Sequence, residues 1–271
     1  MAGFKRLMSE IMQAREREEF TDFVLICGSE RFPVHKVIVC SQSKVLRAAC
    51  SKPFREAVSG EYEIAEQSPA MVRRMIDYFY RGNYNDGNGP RLPLDFCDEK
   101  PNCSNDNELP ALCIHARMFA LADMYQVEGL RNLAVTKYGE ELNQGPSIKD
   151  ILDSIPDVYQ LTPSSVRTLR DKAVLALRLQ LERGKRPRQP SAGNAAPSGN
   201  DMGGAGEAFM DAYSELATES PEFLKDLLSS YIRNPLLGHC PHCGGSGQLR
   251  PTEALQMKCL ACGKGGARSA Y

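Results

Sequence analysis

A chain of 271 residues, 42% hydrophobic and 25% charged, has the make-up of a soluble globular protein, sized for one large domain or one domain with appendages. Its formal net charge of −1 argues against a surface built generally for nucleic acid, although a local basic patch stays open. No apolar run reaches the roughly eighteen residues a membrane helix needs, and the N-terminus lacks the apolar core of a secretory signal, so a cytosolic or nuclear chain is expected.

Residues 4–19 carry Phe4, Leu7, Met8, Ile11 and Met12 at helical spacing, one apolar stripe on a charged rod. The chain's organising stretch follows, from Phe20 to Leu46. The run Phe23-Val24-Leu25-Ile26 reads as a buried strand, Gly28-Ser29 as a tight turn, and Arg31–Val34 as the return strand. His35-Lys36 then leads into a short apolar helix that breaks at Ser41-Gln42-Ser43. This order, with Asp22, Phe32, His35, Lys36 and Ser41 or Ser43 in place, resembles the opening of a BTB/POZ domain. The resemblance implies an α+β fold, a helical cluster with a small sheet at one edge. It also implies pairing through the N-terminal helix, which competes with the plainer reading that the stripe lies on its own domain. Asp22 and Lys36 align with a charged pocket near the dimer interface of some family members; the competing reading is two separately solvated charges. His35 has no nucleophile motif beside it and is expected to be a hydrogen-bonded histidine at a strand-to-helix corner.

Lys44–Ala57 reads as a helix followed by a turn at Pro53. Within it, Phe54-Arg55-Glu56 resembles the cullin-contact motif of BTB ubiquitin-ligase adaptors; the alternative is a core Phe54 beside an exposed Glu56. Glu61–Ala65 alternates and is expected to be the third strand. Ser68 caps the next helix, Pro69 occupies its first position, Met71, Val72, Met75, Ile76 and Phe79 mark its buried face, and Gly82 ends it.

Residues 85–110 carry six acids (Asp86, Asp95, Asp98, Glu99, Asp106, Glu108) against two bases (Arg91, Lys100) and are rich in Asn, Gly and Pro, an acidic insert. Fungal members of the family often carry an insert here, so a fungal source is expected. The helical pattern resumes at Ala111–Tyr125, where Ile114, Met118, Leu121, Ala122 and Tyr125 share a face. A second helix turns Val127, Leu130, Leu133 and Ala134 inward. HARMFALADMYQVEGLRNLA resembles the paired C-terminal helices of the BTB core. Two or three further helices follow, the last running from Ser164 to about Arg183. The BTB region with its helical extension is thus placed at 1–183, a flexible linker at 184–206, a helical segment at 207–237, and a last module at 238–271. The basic cluster Arg183, Lys185, Arg186 and Arg188 is either a solvated helix end or a nuclear-import signal.

The chain has ten cysteines. Six, at 27, 40, 50, 97, 103 and 113, are irregularly spaced and read as small hydrophobes; with His115 the last three fit no compact metal knuckle. The other four form two CxxC pairs, Cys240/Cys243 and Cys259/Cys262, separated by fifteen residues and each followed by glycine. A CxxC turn sets two thiolates on one side of a metal, and glycine lets the backbone turn tightly. The pattern resembles a zinc ribbon, with one structural zinc per chain and no open coordination position. Two disulfides are the alternative, and His239 and His242 lie close enough to replace a cysteine. Residues 239–271 hold four bases (Arg250, Lys258, Lys264, Arg268) and one acid, Glu253. A tetrathiolate zinc adds about −2, leaving little reach toward phosphate. Protein contact or self-stabilisation is preferred to nucleic-acid binding.

The sequence therefore leads to a non-enzymatic interaction scaffold, since no P-loop, dinucleotide fingerprint, nucleophile elbow or open metal site is present. The expected partners are a second copy or another BTB protein, and a cullin if the chain is a ubiquitin-ligase adaptor. The competing reading is a transcriptional regulator with the ribbon on nucleic acid or a chromatin protein.

Overall fold

The computed structural model describes residues 2–51, 55–87, 109–184, 216, 218–233, 237–239, 246–248, 255–258 and 265–268. The chain divides into two compact units, Met1–Lys172 and Ala173–Tyr271. The division falls eleven residues before the expected edge at 183, inside one helix.

The first unit is built on a three-stranded sheet of order β2-β1-β3, with β1 at Phe23–Cys27, β2 at Glu30–Val34 and β3 at Glu61–Glu63. β1 and β2 form an antiparallel hairpin in which Cys27 faces Glu30 and Phe23 faces Val34. Gly28 opens its turn at φ +57°, a conformation that favours glycine. Alternate residues Phe23, Leu25 and Cys27 are buried, as the pleat requires. Pro33 sits in β2, the edge strand, where its missing N–H costs no central ladder bond. β3 runs parallel to β1 and is shorter than the sequence suggested: its paired residues end at Glu63, and Ile64, whose N–H still donates to the Ile26 carbonyl, turns into the core.

Helix α1 spans Ala2–Glu16. It ends three residues early, where Glu18 and Phe20 take left-handed backbone (φ 58° and 60°) and turn the chain into β1. Between β2 and β3 lie α2 (Lys36–Gln42), α3 (Lys44–Ser51) and α4 (Arg55–Ser59). Ser43, the single residue between α2 and α3, accepts from the Leu46 N–H and donates to the Tyr125 carbonyl at 2.7 Å. One side chain thus caps α3 and ties it to the helices that follow.

Helix α5 (Pro69–Arg81) starts and stops as the sequence specifies: the Ser68 side chain accepts from the Met71 N–H, and Gly82 closes the helix at φ +68°. Tyr80 joins the expected buried face. Helix α6 (Ala111–Met124) departs from the one-face expectation. It packs on α5, on α7 (Glu128–Asn143) and on α8 (Ile148–Gln160), so Leu112, Cys113 and Phe119 are buried as well as Ile114 and Met118. A helix with neighbours on three sides keeps only a narrow strip toward solvent, here Arg117, Ala120 and Met124, and so shows little one-sided pattern in sequence. On α7, Leu130, Ala134 and Tyr138 are buried while Leu133 is only partly covered. A capping box between Ser147 and Asp150 starts α8. Helix α9 (Arg167–Gly184) begins three residues after the expected Ser164, since Pro163 first forms a turn closed by the Val166 N–H.

In the second unit the distal part of α9 buries Ala173, Val174, Leu177 and Arg178. Helix α10 (Pro221–Arg233) buries Phe223 and Leu227. The Arg178 guanidinium donates to the Ser230 carbonyl and hydroxyl, both at 2.7 Å, and stacks 4.3 Å from the Tyr231 ring centroid. Two hairpins follow: β4 (Leu237–His239) with β5 (Ser246–Gln248), and β6 (Leu255–Lys258) with β7 (Gly265–Arg268). No described helix is long and apolar enough to cross a membrane.

Candidate functional site

The corner between β2 and α2 is fixed by side chains. The Tyr80 hydroxyl accepts from the His35 backbone N–H and meets His35 Nδ1, both at 2.9 Å. His35 Nε2 lies 3.1 Å from the Glu19 carbonyl. These contacts are consistent with one tautomer: Tyr80 donates to Nδ1 and the Nε2–H donates to Glu19. Burial pushes the Tyr80 hydroxyl above its usual range, keeping it a donor. His35 is thereby the corner residue expected from the sequence.

Asp22 and Lys36 come together at this corner through the backbone. Asp22 Oδ1 accepts from the Lys36 N–H at 2.7 Å, at the start of α2, where a carboxylate is favoured. The Lys36 ammonium lies 5.6 Å from the Phe23 ring centroid. Two apolar side chains flank this bonded pair in sequence and stand in water: Phe20 is 87% exposed and Val37 73%. Phe20 is held there on left-handed backbone, which only Asn, Asp and Gly adopt easily. On α1, Met12 is buried, but Leu7 of the same stripe is 52% exposed. Neither Phe20 nor Val37 is marked in sequence as a surface residue, because an isolated apolar residue in a loop or short helix carries no periodicity.

A second surface lies on α4. Glu56 in its first turn is partly exposed, and Val58, two residues on, is 90% exposed. Phe54 lies outside the described residues. Elsewhere in the first unit, a groove of about 430 Å³ opens between the α5 start, α6 and the end of α8, with Met71, Met124 and Leu161 among its lining. Two acids at its rim are engaged, Asp157 with Arg117 at 2.8 Å and Asp123 with Arg131 at 3.2 Å.

Of the irregular cysteines, Cys27 and Cys113 are buried and Cys40 and Cys50 partly so. Burial and the hydrogen bond to Cys50 push the Cys40 thiol up to about 12, so it stays protonated. Cys113 Sγ donates to the Asp153 carbonyl and His115 is bonded to Tyr84, so both are engaged elsewhere than a metal. Cys97 and Cys103 lie outside the described residues, and so do Cys240, Cys243, Cys259 and Cys262. The strands around the last four are described. β4 pairs with β5 so that His239 faces Ser246, which leaves residues 240–245 as the connection. β6 pairs with β7 so that Lys258 faces Gly265, which leaves residues 259–264. Each CxxC therefore occupies the first and fourth positions of a six-residue hairpin connection, in matching register.

Residues 11–91 match the family model of the BTB/POZ domain. The chain carries a BTB/POZ domain. The matched span holds the hairpin, the His35 corner, the Asp22–Lys36 pair and α2 to α5. The chain is similar to Kelch repeat and BTB domain-containing protein 2 of Pongo abelii, 26% identical over 200 residues, which cover 65% of this chain and 31% of that protein. It is also similar to Kelch-like protein 30 of Homo sapiens, 24% identical over 76 residues, which cover 28% of this chain and 13% of the relative. The chain thus spans under a third of these relatives' length. Among solved structures, the BTB domain of zebrafish PATZ1 is 15% identical with a TM-score of 0.36, covering 53% of this chain and 93% of that one. The BTB domain of human Gigaxonin is 22% identical with a TM-score of 0.32, covering 49% and 87%.

Proposed function

We propose that this protein is an interaction scaffold whose BTB domain pairs with a second copy and presents a partner surface on α4. The observation that carries the self-association is the exposure of Phe20 and Val37 beside the Asp22–Lys36 bond. Backbone strain at an exposed aromatic costs stability unless an interface uses it, and aromatic anchors are common at interface centres. Leu7 extends the apolar surface along α1. Sedimentation equilibrium on the full chain tests this: a dimer that becomes monomer in Phe20→Ser supports it, and a wild-type monomer at tens of micromolar overturns it.

The partner reading is a cullin, as in BTB ubiquitin-ligase adaptors, with Glu56 and Phe54 as contacts. Val58, exposed on the same short helix, adds an apolar contact to that surface. Glu56→Ala and Val58→Asp are expected to weaken capture of a cullin N-terminal region about tenfold or more while the melting temperature stays put. No measurable affinity of the wild-type chain at micromolar concentration would remove the cullin and leave the scaffold.

The C-terminal module is read as a zinc ribbon. Each CxxC sits in a connection that reverses the chain between two paired strands, and two such turns brought together supply the four thiolates of a tetrahedral site. Cys240, Cys243, Cys259 and Cys262 would hold the metal, which would serve as a structural cross-link between two hairpins too short to be stable alone.

A further inference from the structure

Tyr84, Asp86, His115 and Lys137 form a polar cluster in the first unit that neither partner surface uses. Tyr84 and Asp86 follow α5, and Asp86 carries the last side chain before residue 88, where the acid-rich stretch continues in sequence. His115 stands on α6 and Lys137 on α7. The Tyr84 hydroxyl lies 2.8 Å from His115 Nδ1, and both residues are buried. Asp86 Oδ2 lies 3.9 Å from His115 Nε2 and accepts from Lys137 Nζ at 2.7 Å. Lys137 also donates to the Tyr84 carbonyl at 2.9 Å and sits 4.5 Å from the Tyr84 ring centroid. On the α5 side, Arg74 donates to the Asn85 carbonyl at 2.9 Å.

The side-chain contacts in this cluster that hold residues 84–86 on α6 and α7 run through His115 and Lys137. Tyr84 donating to Nδ1 places the imidazole proton on Nε2, toward Asp86, with the ring neutral. We propose that the cluster is a latch that holds residues 84–87 on α6 and α7 at neutral pH and opens on acidification while the helical core stays folded. An added proton on Nδ1 removes the acceptor of the buried Tyr84 hydroxyl. It also places a second cation beside Lys137, with one carboxylate to serve both. Burial holds the His115 pKa down to about 4, with Lys137 lowering it further and Asp86 opposing. Arg74, bonded to the Asn85 carbonyl, adds a further positive charge.

The sign follows from linkage. His115 has a lower pKa when latched than its ordinary 6.5, so the closed state is fully favoured above pH 6.5 and loses ground as pH falls toward 4. The open population grows roughly tenfold per pH unit across that window, about 300-fold in all.

Hydrogen exchange of the full chain, read by mass spectrometry and corrected for intrinsic rates, tests the latch. Protection at residues 84–87 is expected to fall about 20-fold between pH 7 and pH 5, with α6 and α7 peptides unchanged. His115→Gln, which keeps an acceptor but cannot titrate in this range, should remove the pH dependence. Wild-type protection at 84–87 that is equal at the two pH values overturns the proposal, and so does loss of protection shared by the whole first unit. Both are read on the wild-type chain, whether or not the variant folds.

Discussion

Tyr80 and His35 are joined at two points, with the Tyr80 hydroxyl 2.9 Å from both the backbone nitrogen and Nδ1 of His35. Forty-five residues apart, they lock α5 to the start of α2, and His35 passes the constraint to the Glu19 carbonyl. The Phe20–Asp22 turn and α2 are therefore set against each other by one buried phenol.

Tyr80→Phe should cost about 1–3 kcal/mol, because it leaves the His35 N–H and Nδ1 without their buried partner. Urea unfolding at pH 7 is the measurement, with an unchanged slope and a lower midpoint expected. A loss below about 0.5 kcal/mol would show that water or another group replaces the phenol.

Phe20→Ser should leave monomer stability within about 0.5 kcal/mol, since the side chain is already in water. Light scattering should nevertheless show loss of the dimer. Phe20→Gly separates the two roles of the residue: it relieves the left-handed backbone, so it should stabilise the fold slightly while still weakening association.

Cys259→Ser should lower zinc from one equivalent per chain to under about half, by metal analysis of purified protein, and expose the hairpin strands to protease. The melting transition of the first unit should stay in place. Full zinc occupancy in this variant would mean that His239 or His242 completes the site. Stoichiometric disulfides in the metal-free wild type would replace the zinc reading altogether.

Arg178→Ala should destabilise the second unit by about 2–4 kcal/mol, because it removes a buried guanidinium bonded to Ser230 and stacked on Tyr231. Limited proteolysis should then cut first within α10, with α5 to α8 still protected. A fragment ending at residue 183 keeps Arg178 but lacks Ser230 and Tyr231, so its distal α9 should be cut by protease sooner than in the full chain.

Local signals carried much of the first unit. Ser68-Pro69 and Gly82 fix both ends of α5, and Gly28-Ser29 fixes the hairpin, because capping and turn chemistry act within a few residues. The His35-Lys36 pattern pointed to the BTB/POZ domain that residues 11–91 match. The paired CxxC spacing was equally plain in sequence, and those four cysteines lie outside the described residues.

Tertiary structure decided what the pattern could not. Helix α6 looked one-sided, yet its neighbours α5, α7 and α8 bury it nearly all round. Phe20, Val37 and Val58 are apolar by sequence, and only the absence of covering side chains around them marks a candidate surface. Arg178 finds its partners on α10, fifty-two residues away, a contact that no local pattern announces. Sequence by itself determined both ends of α5 and the β1–β2 turn, since caps and tight turns rest on neighbours along the chain. Which apolar residues lie in the core and which are left to a partner depends on contacts distant in sequence, and only the packed fold supplies them.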